Sequence, residues 1–342
     1  LYQCMAKISY HKERDIINQE KLSEILATLP DYVPDFFIAI ENNSSTLTRL
    51  NYGYDLRLFF EYISEKLNKK ITDITLEDLD NIKARDIERF LSYISYYEKD
   101  GKTFVNKERG KARKLSALRS FFKFLFNSDL ISSNVITKIS TPKIHQKEII
   151  RLEVDEVVKL LNQAENPTNL TKREQGYNKI TKERDLAIMS VFLGTGIRIS
   201  ELVGLNVDDI DFNNNSFKIT RKGGNEVVLY FSDEVKDAMI SWLKIRDEIK
   251  TLDDDEKALF LSLQRKRITP RAVENLVKKY SQAVTPLKKI SPHKLRSTYG
   301  TNLYRETQDI YIVADVLGHK DVNTTKKHYA AISEDIRRNA ST

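Results

Sequence analysis

Apolar residues recur three and four positions apart through much of the first part of the chain, which is the spacing of one face of an α-helix. The pattern predicts a helix over residues 13–28 and a second apolar stretch at 36–40. A cluster of Asn and Ser at 42–45 supplies N-cap residues for a helix over 45–67. Further helices are predicted over 84–97 and, after a polar break, along an apolar stripe at 115–125. A small bundle of four or five helices is the architecture that this pattern favours.

The second part of the chain has a mixed pattern. Residues 140–150 lack periodicity and contain Pro142, which indicates a linker. Two alternating stretches with Gly223 and Gly224 between them predict a β-hairpin over residues 217–231. Helical patterns occupy the rest, at residues 154–163, 183–193, 235–249, 270–283, 293–305 and 310–317. The predicted fold is therefore mainly α with two domains, the second being α+β with a small antiparallel sheet. The predicted segments are an N-terminal extension (1–43), a helical bundle (44–140), a linker (141–150) and the second domain (151–342).

The charge pattern indicates a nucleic-acid partner. The sequence has 342 residues, with 56 Lys and Arg against 49 Asp and Glu. Between Lys102 and Lys123 eight residues are basic and only Glu108 is acidic, which is typical of a surface that meets DNA phosphates. The alternative is a solvated helix face. Candidate DNA-binding residues are Arg49, Arg57, Lys111, Arg113, Lys114 and Arg119 in the first domain, and Arg267, Thr269, Arg271 and Lys278 in the second.

The composition excludes several classes of site. Cys4 is the single cysteine, so the chain cannot form an internal disulfide or a Cys-rich zinc site, which fits a reducing cytoplasm. We expect no metal and no cofactor. No apolar run is long enough to span a bilayer, and no signal peptide is evident. The sequence thus predicts a cytoplasmic protein.

Titratable residues are crowded near the C-terminal end of the sequence. Three of the five histidines, His293, His319 and His328, lie within the last fifty residues, next to Arg296 and Tyr329. Any one of them alone is more typical of a structural residue. Together with Arg198 in the segment GTGIRISE and Lys222 in RKGG, they form the set that cleavage of a phosphodiester without metal requires. The candidate catalytic residues are Arg198, Lys222, His293, Arg296, His319 and Tyr329.

Each residue type in this set suits one part of that reaction. The fixed donor forks of Arg198 and Arg296 would stabilise charge on the nonbridging phosphate oxygens. His293 and His319 can donate to the same oxygens or exchange a proton near neutral pH. Lys222, at the tip of the hairpin, would protonate the leaving 5′ hydroxyl if its pKa is lowered. Tyr329 becomes a nucleophile once neighbouring cations favour its phenolate.

Taken together, these residues resemble the tyrosine recombinase (phage integrase) family, whose catalytic set is Arg, Lys, His, Arg, His or Trp, and Tyr. Every member of that set is matched here. The segment ARKLSALRSFFKFL at 112–125 also resembles the DNA-facing helix of the family's N-terminal core-binding domain. Within the family, the segments TKERDLAI, ITRKGG, ENLVKKYSQA and SPHKLR are most similar to Xer-type recombinases, in particular the single-recombinase enzymes of Gram-positive bacteria.

The resemblance implies a core-binding domain followed by a catalytic domain. It implies a nucleoid-associated bacterial enzyme that forms a 3′ phosphotyrosine link and exchanges strands through a Holliday junction. The expected partners are double-stranded DNA, three further copies in a homotetramer on two DNA sites, and an accessory directionality protein. Two alternatives remain open: a type IB topoisomerase, which relaxes supercoils as a monomer, and a DNA-binding regulator that does not cut. Resolution of chromosome dimers and movement of a transposon, an integrative element or a phage would use the same residues.

Overall fold

The computed structural model describes residues 9–143, 150–168, 172–221, 224–252, 257–319 and 322. The chain divides into two compact units, Leu1–Gln146 and Lys147–Thr342. Within the described residues, no helix combines the length and the apolar character that crossing a membrane requires.

The first unit is a helical bundle with one β-hairpin. Its elements, in chain order, are α1 (Tyr10–Leu26), α2 (Val33–Ala39), α3 (Thr46–Leu67), α4 (Leu76–Asp80), α5 (Ala84–Tyr93), β1 (Tyr96–Lys99), β2 (Lys102–Val105) and α6 (Glu108–Asn127). Helix α3 begins where the sequence predicted, because the Ser45 hydroxyl accepts a hydrogen bond from the Thr48 N–H at 3.3 Å. It ends at Asn68, which adopts the left-handed conformation with φ 51°.

Aromatic side chains of α3 and α6 form the centre of the first unit's core. Phe59 and Phe60 of α3 and Phe121 and Phe122 of α6 have no exposed surface. The rings of Phe59 and Phe122 meet edge to face with centroids 6.0 Å apart. This packing places the apolar side of α6 inward, and its basic side chains other than Lys114 keep exposed surface.

The prediction of a helix through Tyr96 and Tyr97 was wrong. Helix α5 ends at Tyr93, and Tyr96 pairs with Val105 in the antiparallel hairpin of β1 and β2. Asp100 and Gly101 form its two-residue turn, both with positive φ, as a type I′ turn requires. The Asp-Gly pair was the sequence signal for this hairpin. Tyr96 has 62% of its surface exposed.

The second unit is helical with a three-stranded antiparallel sheet. Its elements are α7 (Val154–Glu165), α8 (Lys172–Thr195), α9 (Ile199–Gly204), β3 (Ile210–Asp211), β4 (Ser216–Thr220), β5 (Glu226–Tyr230), α10 (Asp233–Arg246), α11 (Pro270–Val284), α12 (Pro292–Thr307) and α13 (Ile310–Leu317). The sheet order is β3, β4, β5. The predicted hairpin is confirmed, whereas the short strand β3 was not predicted. The predicted mainly α fold with a small antiparallel sheet is confirmed.

Helix α13 has well-defined signals at both ends. The Asp309 carboxylate accepts hydrogen bonds from the N–H groups of Tyr311 and Ile312. At the other end Gly318 has φ 59°, and its N–H donates to Asp315 O while the His319 N–H donates to Ala314 O. These two bonds form a Schellman motif. The motif ends the helix abruptly and leaves the carbonyls of its last turn directed away from the helix body.

Candidate functional site

Arg198 lies at the N-terminal end of α9. Its Nη1 donates to Glu201 Oε1 at 2.8 Å, and the same carboxylate accepts the Arg198 main-chain N–H at 2.9 Å. The Glu201 side chain is 3% exposed, whereas that of Arg198 is 33% exposed. A buried carboxylate thus holds one edge of a guanidinium that still reaches solvent.

Arg296 lies on α12, with 6% of its surface exposed. Its Nη1 donates to Gly196 O and its Nη2 donates to Leu317 O. Gly196 connects α8 to α9 with φ 61°, and a Cβ at this position would collide with the Tyr299 ring and lie 3.0 Å from Leu317 Cδ2. A glycine is therefore needed for the main chain to approach α12 and α13 closely enough to meet Arg296.

Main-chain carbonyls at the end of α13 accept from several guanidiniums. Arg198 Nη2 donates to Gly318 O at 2.8 Å and to Leu317 O at 3.2 Å, so Arg198 and Arg296 share one carbonyl oxygen. Arg221, which follows β4, donates from Nη2 to Val316 O at 2.8 Å. The C-terminal end of a helix carries partial negative charge, which compensates the repulsion among these cations.

The sequence interpretation missed both Arg221 and Glu201. Burial lowers the pKa of Arg221, Glu201 opposes this effect, and Arg198 adds to the lowering. Arg221 was overlooked because Lys222 next to it carried the resemblance. Glu201 had a local signal, because an acidic residue three positions after a helix cap is a capping pattern.

His319 lies at the end of α13, where Arg198 and Arg296 meet, and His293 lies on α12. His319 is half-buried and follows Gly318 directly, so the Schellman motif fixes where its main chain leaves the helix. His293 is exposed in the first turn of α12, one turn before Arg296. Lys222, His328 and Tyr329 lie outside the described residues.

The described part of this site can bind an anion. Arg198 and Arg296 are held by fixed acceptors, and the Arg198 side chain remains 33% exposed. Donors that are oriented in advance stabilise developing negative charge without reorganisation during the reaction. The arrangement therefore suits a tetrahedral oxyanion such as a phosphodiester.

The basic candidates of the first unit differ widely in their surroundings. A buried carboxylate, Asp55, accepts from Arg113 at 2.8 Å and lies 3.6 Å from the Lys114 ammonium. The Arg113 side chain is 46% exposed and that of Lys114 only 10%. Burial raises the pKa of Asp55 against the opposing effect of Arg113. Burial likewise lowers the pKa of Lys114.

The other candidates of the first unit also have partners within the fold. Arg49 is buried and pairs with Glu41, whereas the half-buried Arg57 pairs with Glu61. The remaining two lie on α6: Lys111 donates to the Ser95 hydroxyl, and Arg119 to Ile139 O and Thr141.

The candidates of the second unit divide into inward and outward groups. Arg267 is half-buried and donates to Val203 O, Leu205 O and Asn206 Oδ1. Thr269 caps α11 by accepting from the Ala272 N–H at 3.2 Å. Arg271 and Lys278, also on α11, are exposed, and Arg271 pairs with Glu274.

Models of two known domain families match the sequence. The model described as "Phage integrase family" matches residues 150–335. The model described as "Phage integrase, N-terminal SAM-like domain" matches residues 35–128.

Individual proteins are also similar over most of the chain. The tyrosine recombinase XerC of Caldanaerobacter subterraneus is 35% identical, over 80% of this chain and 75% of that protein. The tyrosine recombinase XerS of Lactococcus lactis subsp. cremoris is 30% identical, over 95% of this chain and 97% of that protein. The solved structure of the XerH site-specific recombinase bound to palindromic difH substrate, a post-cleavage complex, superposes with a TM-score of 0.64. It is 20% identical and covers 84% of this chain and 77% of that one, which is a likeness of fold.

Proposed function

This chain belongs to the phage integrase family of tyrosine recombinases, enzymes that break and rejoin DNA, and we propose that it acts at a specific site through a 3′ phosphotyrosine intermediate. The observation that carries the proposal is the meeting of Arg198 and Arg296 at the end of α13, where His319 follows directly. Tyr329 comes ten positions after His319 in the sequence.

In the cleavage step, the Tyr329 hydroxyl releases its proton to solvent, which the cations of the site favour, and the phenolate oxygen Oη attacks the scissile phosphorus. A bond forms between Oη and phosphorus, and the bond from phosphorus to the 5′ oxygen breaks. Lys222 transfers a proton to that oxygen, so the products are a 3′ phosphotyrosine and a free 5′ hydroxyl. Arg198 and Arg296 donate to the nonbridging oxygens, where negative charge develops.

The rejoining step reverses these events. A 5′ hydroxyl from a partner duplex attacks the phosphotyrosine, the tyrosine leaves, and the phosphodiester is restored. Because the phosphotyrosine bond stores the energy of the broken linkage, the exchange consumes no nucleotide. We assign donation to the phosphate, or exchange of a proton near neutral pH, to His293 and His319.

Strand exchange requires two DNA sites and more than one copy of the chain. We propose a homotetramer that passes through a Holliday junction in the bacterial nucleoid, with an accessory protein setting direction where the element requires it. We propose that the protein acts on a short core site. That site would consist of two half-sites, each read by one protomer.

Two DNA substrates test this function. An oligonucleotide nicked a few nucleotides to the 3′ side of the cleavage position releases the short fragment that carries the free 5′ hydroxyl, so the covalent adduct accumulates and can be separated on a denaturing gel. A plasmid with two core sites then reports exchange. Recombinant products support the proposal, relaxation without exchange would indicate a topoisomerase, and binding without an adduct would indicate a regulator.

We expect the neighbouring residues Arg113 and Lys114 of α6 to differ in their effect on DNA affinity. Arg113→Ala should weaken binding and reduce the slope of log affinity against log salt by about one, as expected when one phosphate contact is lost. Lys114→Ala should leave that slope unchanged, because its side chain is 10% exposed. The measurement is DNA affinity at several salt concentrations.

The two variants control for each other. Each removes one partner of the buried Asp55, so both lose stability for the same reason. A difference in salt slope therefore reports phosphate contact alone. Equal slopes in the two variants would contradict a direct role for Arg113.

A further inference from the structure

The Arg221 side chain, which follows β4, attaches the hairpin of β4 and β5 to the end of α13. We propose that Arg221 is a positioning residue that places Lys222 for protonation of the leaving 5′ oxygen. The inference rests on the proposed function, in which Lys222 is the general acid. Arg221 acts through its neighbour rather than on DNA, because its described donors face the protein.

The main chain of Arg221 is the last paired point before Lys222. Thr220 pairs with Glu226 at the end of the two strands. Beyond this pair the Arg221 N–H donates to Asn225 O at 2.8 Å, and the Gly224 N–H donates to Arg221 O at 3.0 Å. Consecutive Cα atoms are about 3.8 Å apart, so any displacement of Arg221 is transmitted to the next residue.

The Arg221 side chain contacts α13 through hydrogen bonds and through close packing against Gly318. Nη2 donates to Val316 O at 2.8 Å and Nη1 to Asp315 O at 3.4 Å. The guanidinium also lies against Gly318, where an added Cβ would collide with Nη1 and approach Nε to 2.8 Å. Any residue with a Cβ at position 318 would exclude the guanidinium from this place.

Arg221 Nε gives independent evidence that this arrangement is held firmly. The atom is buried and has no hydrogen-bond acceptor among the described residues. A buried donor without an acceptor is unfavourable, and it persists only where surrounding contacts determine the position of the group. The position of the Arg221 guanidinium is set by its hydrogen bonds to the carbonyls of α13.

This attachment joins the two main-chain positions that directly precede two proposed catalytic residues in the sequence. His319 follows Gly318 of the Schellman motif, and Lys222 follows Arg221. General acid catalysis needs the donor within hydrogen-bond distance of the leaving oxygen. Loss of the anchor should therefore slow proton transfer while leaving Arg198 and Arg296 in place.

A substrate whose leaving 5′ oxygen is replaced by sulfur tests this assignment. A thiolate leaves without protonation, so a defect in proton delivery disappears on this substrate, whereas a defect in the fold or in phosphate binding remains. On the ordinary nicked substrate we expect Arg221→Ala to slow formation of the adduct about 10- to 100-fold. On the sulfur substrate its rate should return to within about threefold of the wild type.

Companion variants separate the possible failures. Lys222→Ala should show the same rescue by sulfur, and the double variant Arg221→Ala with Lys222→Ala should be no slower than Lys222→Ala, because the two residues act as a unit. Lys218→Ala, an exposed lysine of β4 paired with Glu226, is the matched control and should retain the wild-type rate. If the wild type forms no adduct, the proposed function fails; if Lys222→Ala is not rescued, Lys222 is not the acid and the positioning role fails with it.

A milder variant keeps the result decisive if Arg221→Ala folds poorly. Arg221→Lys retains the charge but loses the planar fork, so an intermediate rate rescued by sulfur is expected. Equal losses on both substrates in this variant, or a wild-type rate on the ordinary substrate, would overturn the positioning role.

Discussion

Replacing Tyr329 with Phe should abolish the covalent DNA adduct while DNA affinity stays within about twofold of the wild type. The change removes one hydroxyl oxygen, which is the atom that bonds to phosphorus in the proposed reaction. The aromatic ring is retained, so the surfaces that bind DNA should be unaffected. The measurements are trapping on the nicked substrate and a binding titration with the same DNA.

Tyr311→Phe is the matched control for this result. Tyr311 lies on α13, 70% of its surface is exposed, and the substitution again removes one phenolic hydroxyl. We expect adduct formation by this variant at the wild-type rate. An adduct that persists in Tyr329→Phe would refute the assignment of Tyr329 as the nucleophile.

Arg198→Ala should slow cleavage strongly and also destabilise the second unit. Loss of a preorganised donor to a developing oxyanion lowers rates by about 100- to 1,000-fold. The same change leaves Glu201 as a buried carboxylate without its cation, which costs about 3 kcal/mol in comparable buried pairs. A loss of activity alone would therefore mix a chemical effect with a structural one.

The double variant Arg198→Ala with Glu201→Gln separates these effects. Glutamine can still accept the main-chain N–H of residue 198 at the start of α9, but it carries no charge. We expect it to recover a large part of the lost stability and none of the cleavage activity. Recovery of cleavage would show that Arg198 serves the fold rather than the phosphate.

The only tryptophan of the sequence makes the stability measurement selective. Trp242 is buried in α10 and donates to Leu259 O at 2.8 Å, so its fluorescence reports the second unit. Urea unfolding of the full chain, followed by this signal, gives the midpoint for each variant without a contribution from the first unit.

The elements that the sequence predicts best are those with signals at both ends. Residues 310–317 were predicted as a helix with the bounds that the structure has, because Asp309 caps its start and Gly318 ends it. The hairpin of β1 and β2 was missed because apolar and aromatic spacing through residues 84–97 continued the helical pattern. The turn chemistry of Asp100 and Gly101 outweighed that spacing.

The candidate site could be predicted in its residue types but not in its construction. Arg198 contacts Leu317 across 119 positions, and no local pattern records such a pairing. The exposure of the basic candidates could not be predicted either. Arg113 and Lys114 are adjacent in the sequence, yet the first is exposed and the second is nearly buried. Burial of a charged residue depends on which carboxylate packs against it, here Asp55, which is contributed by a different helix.

The acceptors at the end of α13 are main-chain atoms, and this determines which substitutions the site tolerates during sequence divergence. Every amino acid supplies the same carbonyl, so the side chain at the half-buried position Val316 can vary while Arg221 keeps its acceptor. Gly318 is the exception, because its contact depends on having no side chain. Divergent copies of this enzyme could therefore retain the same arrangement of charge with little sequence identity along this helix, as long as the backbone turns at that glycine.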